Sequence, residues 1–122
     1  MFVSLREFSG NEMPGRFEFY KDKSGEYRFR LMAGNGDVVL SSDGYKSKLG
    51  CMKGIDSVRV NSSNPDNYVR EPGKSGGHRF KLLSLNGRVL CVSRVFETAA
   101  AYNSSINSVA KLARGAVIDD KT

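Results

Sequence analysis

Four cations at alternating positions carry the clearest chemical suggestion in this sequence. Arg28 and Arg30 flank Phe29, and Arg79 and Lys81 flank Phe80 at an offset of 51 residues. Alternation puts each pair on one face of a strand and Tyr27, Phe29 and Leu31 on the other. With Tyr20 beside them, these groups could hold single-stranded nucleic acid by phosphate contact and stacking. Sheet-type RNA readers present several aromatics, however, and this face offers one. A solvated face whose long cations shield apolar neighbours with their stems accounts for the same residues. Met32, Val39, Leu83 and Leu90 are expected on that side too. They form a candidate apolar patch for a protein partner or for a second copy of the chain.

Groups suited to catalysis are scarce. The one histidine, His78, aligns with core-facing Tyr27 and reads as a packed aromatic substitute. Cys51 and Cys91 are too few and too far apart for a zinc set or a disulfide framework, and each reads as a small buried hydrophobe. Glu18, Glu26 and Asp37 fall at strand ends and turns, where solvated charge explains them. The glycines of Gly34-Asn35-Gly36 and Ser75-Gly76-Gly77 belong to hairpins, because no helix follows directly as a phosphate loop requires. No metal, no cofactor and no enzymatic activity are expected.

The elements that position these residues come from a duplication. Shifted by 51, residues 17–60 lie on 68–111 without a gap, matching Lys23/Lys74, Arg28/Arg79, Phe29/Phe80, Asn35/Asn86, Gly36/Gly87 and Ile55/Ile106 among others. Residues 17–21 and 26–33 alternate as strands around the loop Lys23-Ser24-Gly25, which sets Phe19 opposite Phe29 and Phe17 opposite Leu31. Asn35-Gly36 predicts a two-residue type I′ turn pairing Ala33 with Val38, Met32 with Val39 and Leu31 with Leu40. Phe17, Phe19, Tyr27, Phe29, Leu31, Val38 and Leu40 then face the core. Ser47 and Thr98 are the helix caps, and Cys51, Ile55 and Val58 form an apolar stripe that Tyr102, Ile106 and Val109 repeat. Pro72 predicts a short or edge strand at the start of the second copy. Residues 115–122 are expected to pair briefly with a sheet edge.

The fold class that follows is α+β. It is a two-layer α/β sandwich from a tandem β-β-β-α repeat, with six mainly antiparallel strands in one sheet and two helices on one face. Residues 1–15 form a leader outside the repeat. Residues 16–122 form a single domain of two repeats, 16–63 and 67–114, with a C-terminal tail. At 122 residues the chain can bury a real core without staples. Its net charge of +6 is spread over both copies, which raises the odds of an anionic partner without requiring one. No apolar run has the length of a membrane span and nothing at the start reads as a signal peptide, so a cytoplasmic protein with no membrane contact is expected.

The run FEFYKDKSGEYRFRLMAGNG, followed by DGYKSK and GIDSVRVN, resembles the YegP-like family of small tandem-repeat bacterial proteins. In the second copy RFKLLSLNGRVL and INSVAKLARGAVIDDKT look like that family's weaker second unit and its closing acidic tail. The resemblance covers residues 16–122. It implies a β-β-β-α unit used twice with the sheets joined as one, and single-unit relatives that build the same body as dimers. It brings no catalytic residues. The function expected is a small non-enzymatic binding or interaction module of unknown partner, with nucleic-acid binding through the basic sheet face as the alternative.

Overall fold

Each repeat folds as three antiparallel strands and a helix: β1 (Arg16–Lys21), β2 (Tyr27–Met32), β3 (Val38–Ser41) and α1 (Lys48–Asn61), then β4 (Tyr68–Pro72), β5 (His78–Leu83), β6 (Val89–Ser93) and α2 (Ala99–Gly115). A seventh strand, β7 (Val117–Asp120), follows α2. The structure, a computed structural model, describes residues 14–122. The leader expectation therefore lies outside the described residues, except for its last two positions.

The sheet runs β4-β5-β6-β3-β2-β1-β7, one strand more than the six expected. The addition comes from the tail, where β7 pairs in parallel with β1 and sets Ile118 opposite Phe17. The two copies meet where β3 pairs antiparallel with β6. There Ser41 lies opposite Val92, its own counterpart at the 51-residue offset. Equivalent residues facing each other across an antiparallel ladder place a local twofold axis at that pair. Pro72, which cannot donate to a ladder, closes β4 on the outer edge.

The first hairpin has the expected register, Phe19 opposite Phe29 and Phe17 opposite Leu31, with Gly25 at a φ of 86°. The second turn differs from its expectation. A type I′ turn needs positive φ at both central residues, and only Gly36 has it. The Asn35 side chain instead accepts the Asp37 N–H at 3.0 Å, an Asx hydrogen bond that favours a three-residue loop. Ala33 pairs with Asp37, and Met32 with Val38. A bulge then restores Leu31 opposite Leu40. The second copy repeats this at Ser84–Arg88 and Leu82–Cys91.

The bulge changes which side chains face the helices. Val38 shares the face of Met32, whereas Val39 packs against the core. In the second copy Leu90, 5% exposed, is in the core, and Val89 stands opposite Leu83 on the far face. Val39 and Leu90 therefore do not belong to the outer apolar patch.

Both helices close on one core that includes Phe17, Phe29, Leu31, Ile55, Val58, Phe80, Leu82 and Val109. Ser47 caps α1 by accepting the Gly50 N–H, and Thr98 caps α2 at Ala101. Arg59, near the end of α1, donates to the Ala113 and Ala116 carbonyls at 3.3 and 2.5 Å, where α2 ends. A cation there meets the negative pole of α2, so one repeat anchors the helix of the other.

Candidate binding surfaces: a neutralised sheet face and a cationic groove

Tyr20, Arg28, Arg30, Arg79 and Lys81 all stand on the helix-free face, each opposite a residue of the same face on the neighbouring strand. None of the four cations is left without a carboxylate. Arg28 Nε donates to Asp22 at 2.7 Å, Arg30 reaches Glu18 at 2.8 Å, Arg79 Nε donates to Glu71 at 2.8 Å, and Lys81 meets Glu71 at 3.0 Å. Glu18 is only 9% exposed and also faces Arg16 at 3.8 Å. The Arg28 guanidinium, followed by the Ser24 hydroxyl, holds the Asp22 carboxyl far below the usual range. Lys81 acts in the same direction on Glu71. The Tyr20 ring lies under the Arg30 guanidinium at 4.5 Å, so its stacking surface is partly taken.

The two copies reach this neutrality with different acids. Asp22 and Glu18 serve Arg28 and Arg30, but the aligned positions in the second copy are Gly73 and Val69. Glu71, which aligns with Tyr20, takes both Arg79 and Lys81. Between the charged flanks run Met32, Val38, Leu83, Val89 and Val92, the outer apolar strip once Val39 and Leu90 are removed from it.

Burial pushes the Cys51 thiol up to about 11 and raises that of Cys91 further, so both stay protonated near neutrality. His78 packs beside Tyr102, and its Nδ1 meets the Arg70 guanidinium at 2.5 Å. Among the described residues no three histidine, cysteine or carboxylate side chains converge as metal ligands.

A second surface lies on the helix side, between α1 and the β5–β6 turn. Gly50, Lys53, Gly54, Ser57 and Asn61 recur at helical spacing along one side of α1 and line this surface. Ser84, Leu85, Asn86 and Arg88 of the turn form the facing wall, and Leu90 and Tyr45 the remainder, enclosing a groove of roughly 510 Å³. Tyr45 is fixed by paired backbone bonds to Tyr27 at 2.7 and 2.8 Å and stacks on Phe29 at 6.2 Å. Its ring lies so close to Gly54 that a β-carbon there would collide with the hydroxyl. Burial raises the Tyr45 phenol, with Arg88 opposing, and the Arg88 guanidinium stands 5.9 Å from the ring.

No carboxylate lines this groove, and neither Lys53 nor Arg88 makes an ion pair among the described residues. Reading the sequence for alternating cations missed both residues. The signal that marks them is divergence between the copies: Arg88 aligns with Asp37, Lys53 with Ser104, Asn61 with Leu112 and Leu85 with Gly34.

Comparison with known proteins agrees with this duplicated architecture. A family model described as a domain of unknown function, DUF1508, matches twice, at residues 22–68 and 74–120. A UPF0339 protein from the ptx operon 5′ region of Stutzerimonas stutzeri is 40% identical over 97 residues, covering 80% of this chain and 87% of its own. A UPF0339 protein of Treponema denticola is 56% identical over 59 residues, which is 98% of that protein and 48% of this chain, about one repeat. The solution structure of YegP from Escherichia coli superposes with a TM-score of 0.83 at 34% identity, covering 90% of this chain and 95% of that one. The solution structure of a Shewanella oneidensis UPF0339 protein gives 0.82 at the same identity, covering 88% and 92%. The chain belongs to the DUF1508 family, the YegP-like UPF0339 proteins, whose function is uncharacterised.

Proposed function

We propose that this protein is a non-enzymatic binding module and that its ligand site is the groove between α1 and the β5–β6 turn. One observation carries the reading: Lys53 and Arg88 line a concave site that contains no carboxylate among the described residues, whereas each candidate cation of the outer sheet face is held by one. Ligand sites of small molecules are concave, partly apolar and furnished with a few convergent polar groups. Tyr45, Leu85 and Leu90 supply the apolar part. The inert thiols and the pairing of His78 with Arg70 support a role without chemistry on the ligand. Two free cysteines suit a reducing compartment, and we take the cytoplasm as the place of action. No helix among the described residues is long and apolar enough to cross a membrane.

Nucleic acid on the outer face is the weaker reading. A phosphate would have to displace Asp22, Glu18 or Glu71 from hydrogen bonds of 2.7–3.0 Å, and one capped aromatic offers little stacking. The test is residue-resolved NMR of the labelled protein with mixtures of small polar fragments and, separately, single-stranded DNA and RNA. Fragment-induced shifts confined to residues 50–61 and 84–90 are expected. Shifts centred on Arg28, Arg30, Arg79 and Lys81 with an oligonucleotide, and none in the groove with any fragment, would reverse the assignment.

A further inference from the structure

We infer that the groove takes a small anion carrying a planar ring, its phosphate or carboxylate between Lys53 and Arg88 and its ring against Tyr45; this rests on the groove being the ligand site. The charge pattern comes first. Lys53 and Arg88 are the charged lining groups, and every other polar group there is a neutral hydroxyl or amide, so among the described residues the groove holds positive charge with nothing inside to balance it. Field lines concentrate in such a concavity, and an anion entering it makes charge-assisted hydrogen bonds without displacing a resident carboxylate.

Tyr45 adds a donor. A tyrosine phenol is protonated near neutrality and burial holds this one further that way, so it offers an O–H to an anion instead of repelling one. Size and lining then argue against a bare ion. At roughly 510 Å³ the groove is far larger than a phosphate and falls in the range of organic ligand sites, ~300–1,000 Å³. The part of the Tyr45 ring left open beside Phe29 and Arg88, and the Leu85 side chain, 88% exposed at the lip, give a ring two apolar contacts. The duplication provides an internal control. At the twofold-related place, between α2 and the β2–β3 turn, Ser104 stands for Lys53 and Asp37 for Arg88, so the charge pair is missing there. Asp37 instead faces Arg94 at 3.7 Å.

The experiment is a set of NMR titrations of the full chain with phenyl phosphate, benzoate, phenol and inorganic phosphate, at low and high salt. Phenyl phosphate or benzoate should saturate shifts at residues 50–57 and 84–90 and weaken with salt, and the tighter of the two identifies the anionic group. Inorganic phosphate and phenol, each lacking half of the ligand, should bind less tightly. Arg88→Asp, which installs the acid of the first copy, should weaken binding by roughly tenfold or more, the loss of one charge-assisted hydrogen bond. Lys53→Ser is a second variant on an exposed position and should act in the same direction. Phenol binding as tightly as phenyl phosphate would overturn the anion assignment while leaving the groove as the ligand site. Absence of groove shifts with all four probes would overturn both.

Discussion

The turns Gly34–Asp37 and Leu85–Arg88 have the same backbone and opposite chemistry. Both are three-residue loops with a glycine at positive φ, 92° and 85°, and an asparagine that accepts the N–H two residues on. Both are followed by the same bulge. One ends in an acid paired with Arg94, the other in a cation facing a groove. In these two turns the backbone is duplicated faithfully, and the difference is confined to side chains that the turn does not need. Such positions are where a duplicated domain can acquire a site at one of two twofold-related places without disturbing its scaffold. The outer sheet face gives the converse case. Its charges differ between copies in which acid serves which cation, yet each cation finds an acid, the behaviour expected of a surface whose charges are structural.

The largest expected effects should be equal in the two copies. Phe29 and Phe80 are both fully buried and each packs against two further aromatics, Phe17 and Tyr45 for the first and Tyr68 and Tyr102 for the second, so truncation to alanine should cost ~3–5 kcal/mol in either, measured by denaturant unfolding. A large imbalance would mean that one half dominates stability. Ser42 and Ser93 come next. Each buried hydroxyl accepts the N–H of the core phenylalanine opposite, at 2.9 and 3.0 Å, and donates to the carbonyl of the following residue. Serine to alanine leaves a buried N–H without its partner, at about 1–3 kcal/mol in each copy. Serine to cysteine, with its weaker acceptor, should not restore it.

Acid sensitivity should come from carboxylates held low. Asp22, Glu71 and Asp120 are all depressed in the folded state, Asp120 to about 2 by Lys48 and then Thr122. Each group favours folding above its unfolded value of roughly 4, and that contribution is lost as pH falls through the folded value. Melting temperature should be level through neutrality and decline below about pH 4, and Lys48→Ala should remove part of the decline. The smallest effect should be Arg88→Asp. With no ion pair to break and only a 5.9 Å approach to the Tyr45 ring to lose, it should change stability by less than about 0.5 kcal/mol while abolishing the groove's charge pair. A larger loss would mean that Arg88 is part of the scaffold.

Much of the scaffold was legible because local chemistry dictates it. Gly25 fixed the first hairpin and with it the pairing of Phe19 and Phe29, and Ser47 and Thr98 announced the helices they cap. The second turn was misread because Asn-Gly suits two turn types, and the choice rests on a side-chain hydrogen bond that the sequence does not display. That one-residue error moved Val39 and Leu90 to the wrong face. The neutrality of the basic face was within reach, since the correct first-hairpin register already sets Glu18 opposite Arg30. The groove was not, because it joins the helix of one copy to the turn of the other. Only the twofold placement of the copies brings Lys53 and Arg88 to one cavity.

The central claim is that the outer arginines are occupied by their own carboxylates and Arg88 is open. Solvent exchange of the arginine Nε–H groups, followed by NMR with and without added phenyl phosphate, measures this directly. The Nε–H groups of Arg28, Arg30 and Arg79, which donate to Asp22, Glu18 and Glu71 at 2.7–2.9 Å, should exchange slowly and not respond. That of Arg88 should exchange fast and slow down as the ligand binds. Rapid, ligand-sensitive exchange at Arg28, Arg30 and Arg79 with an unresponsive Arg88 would contradict the account.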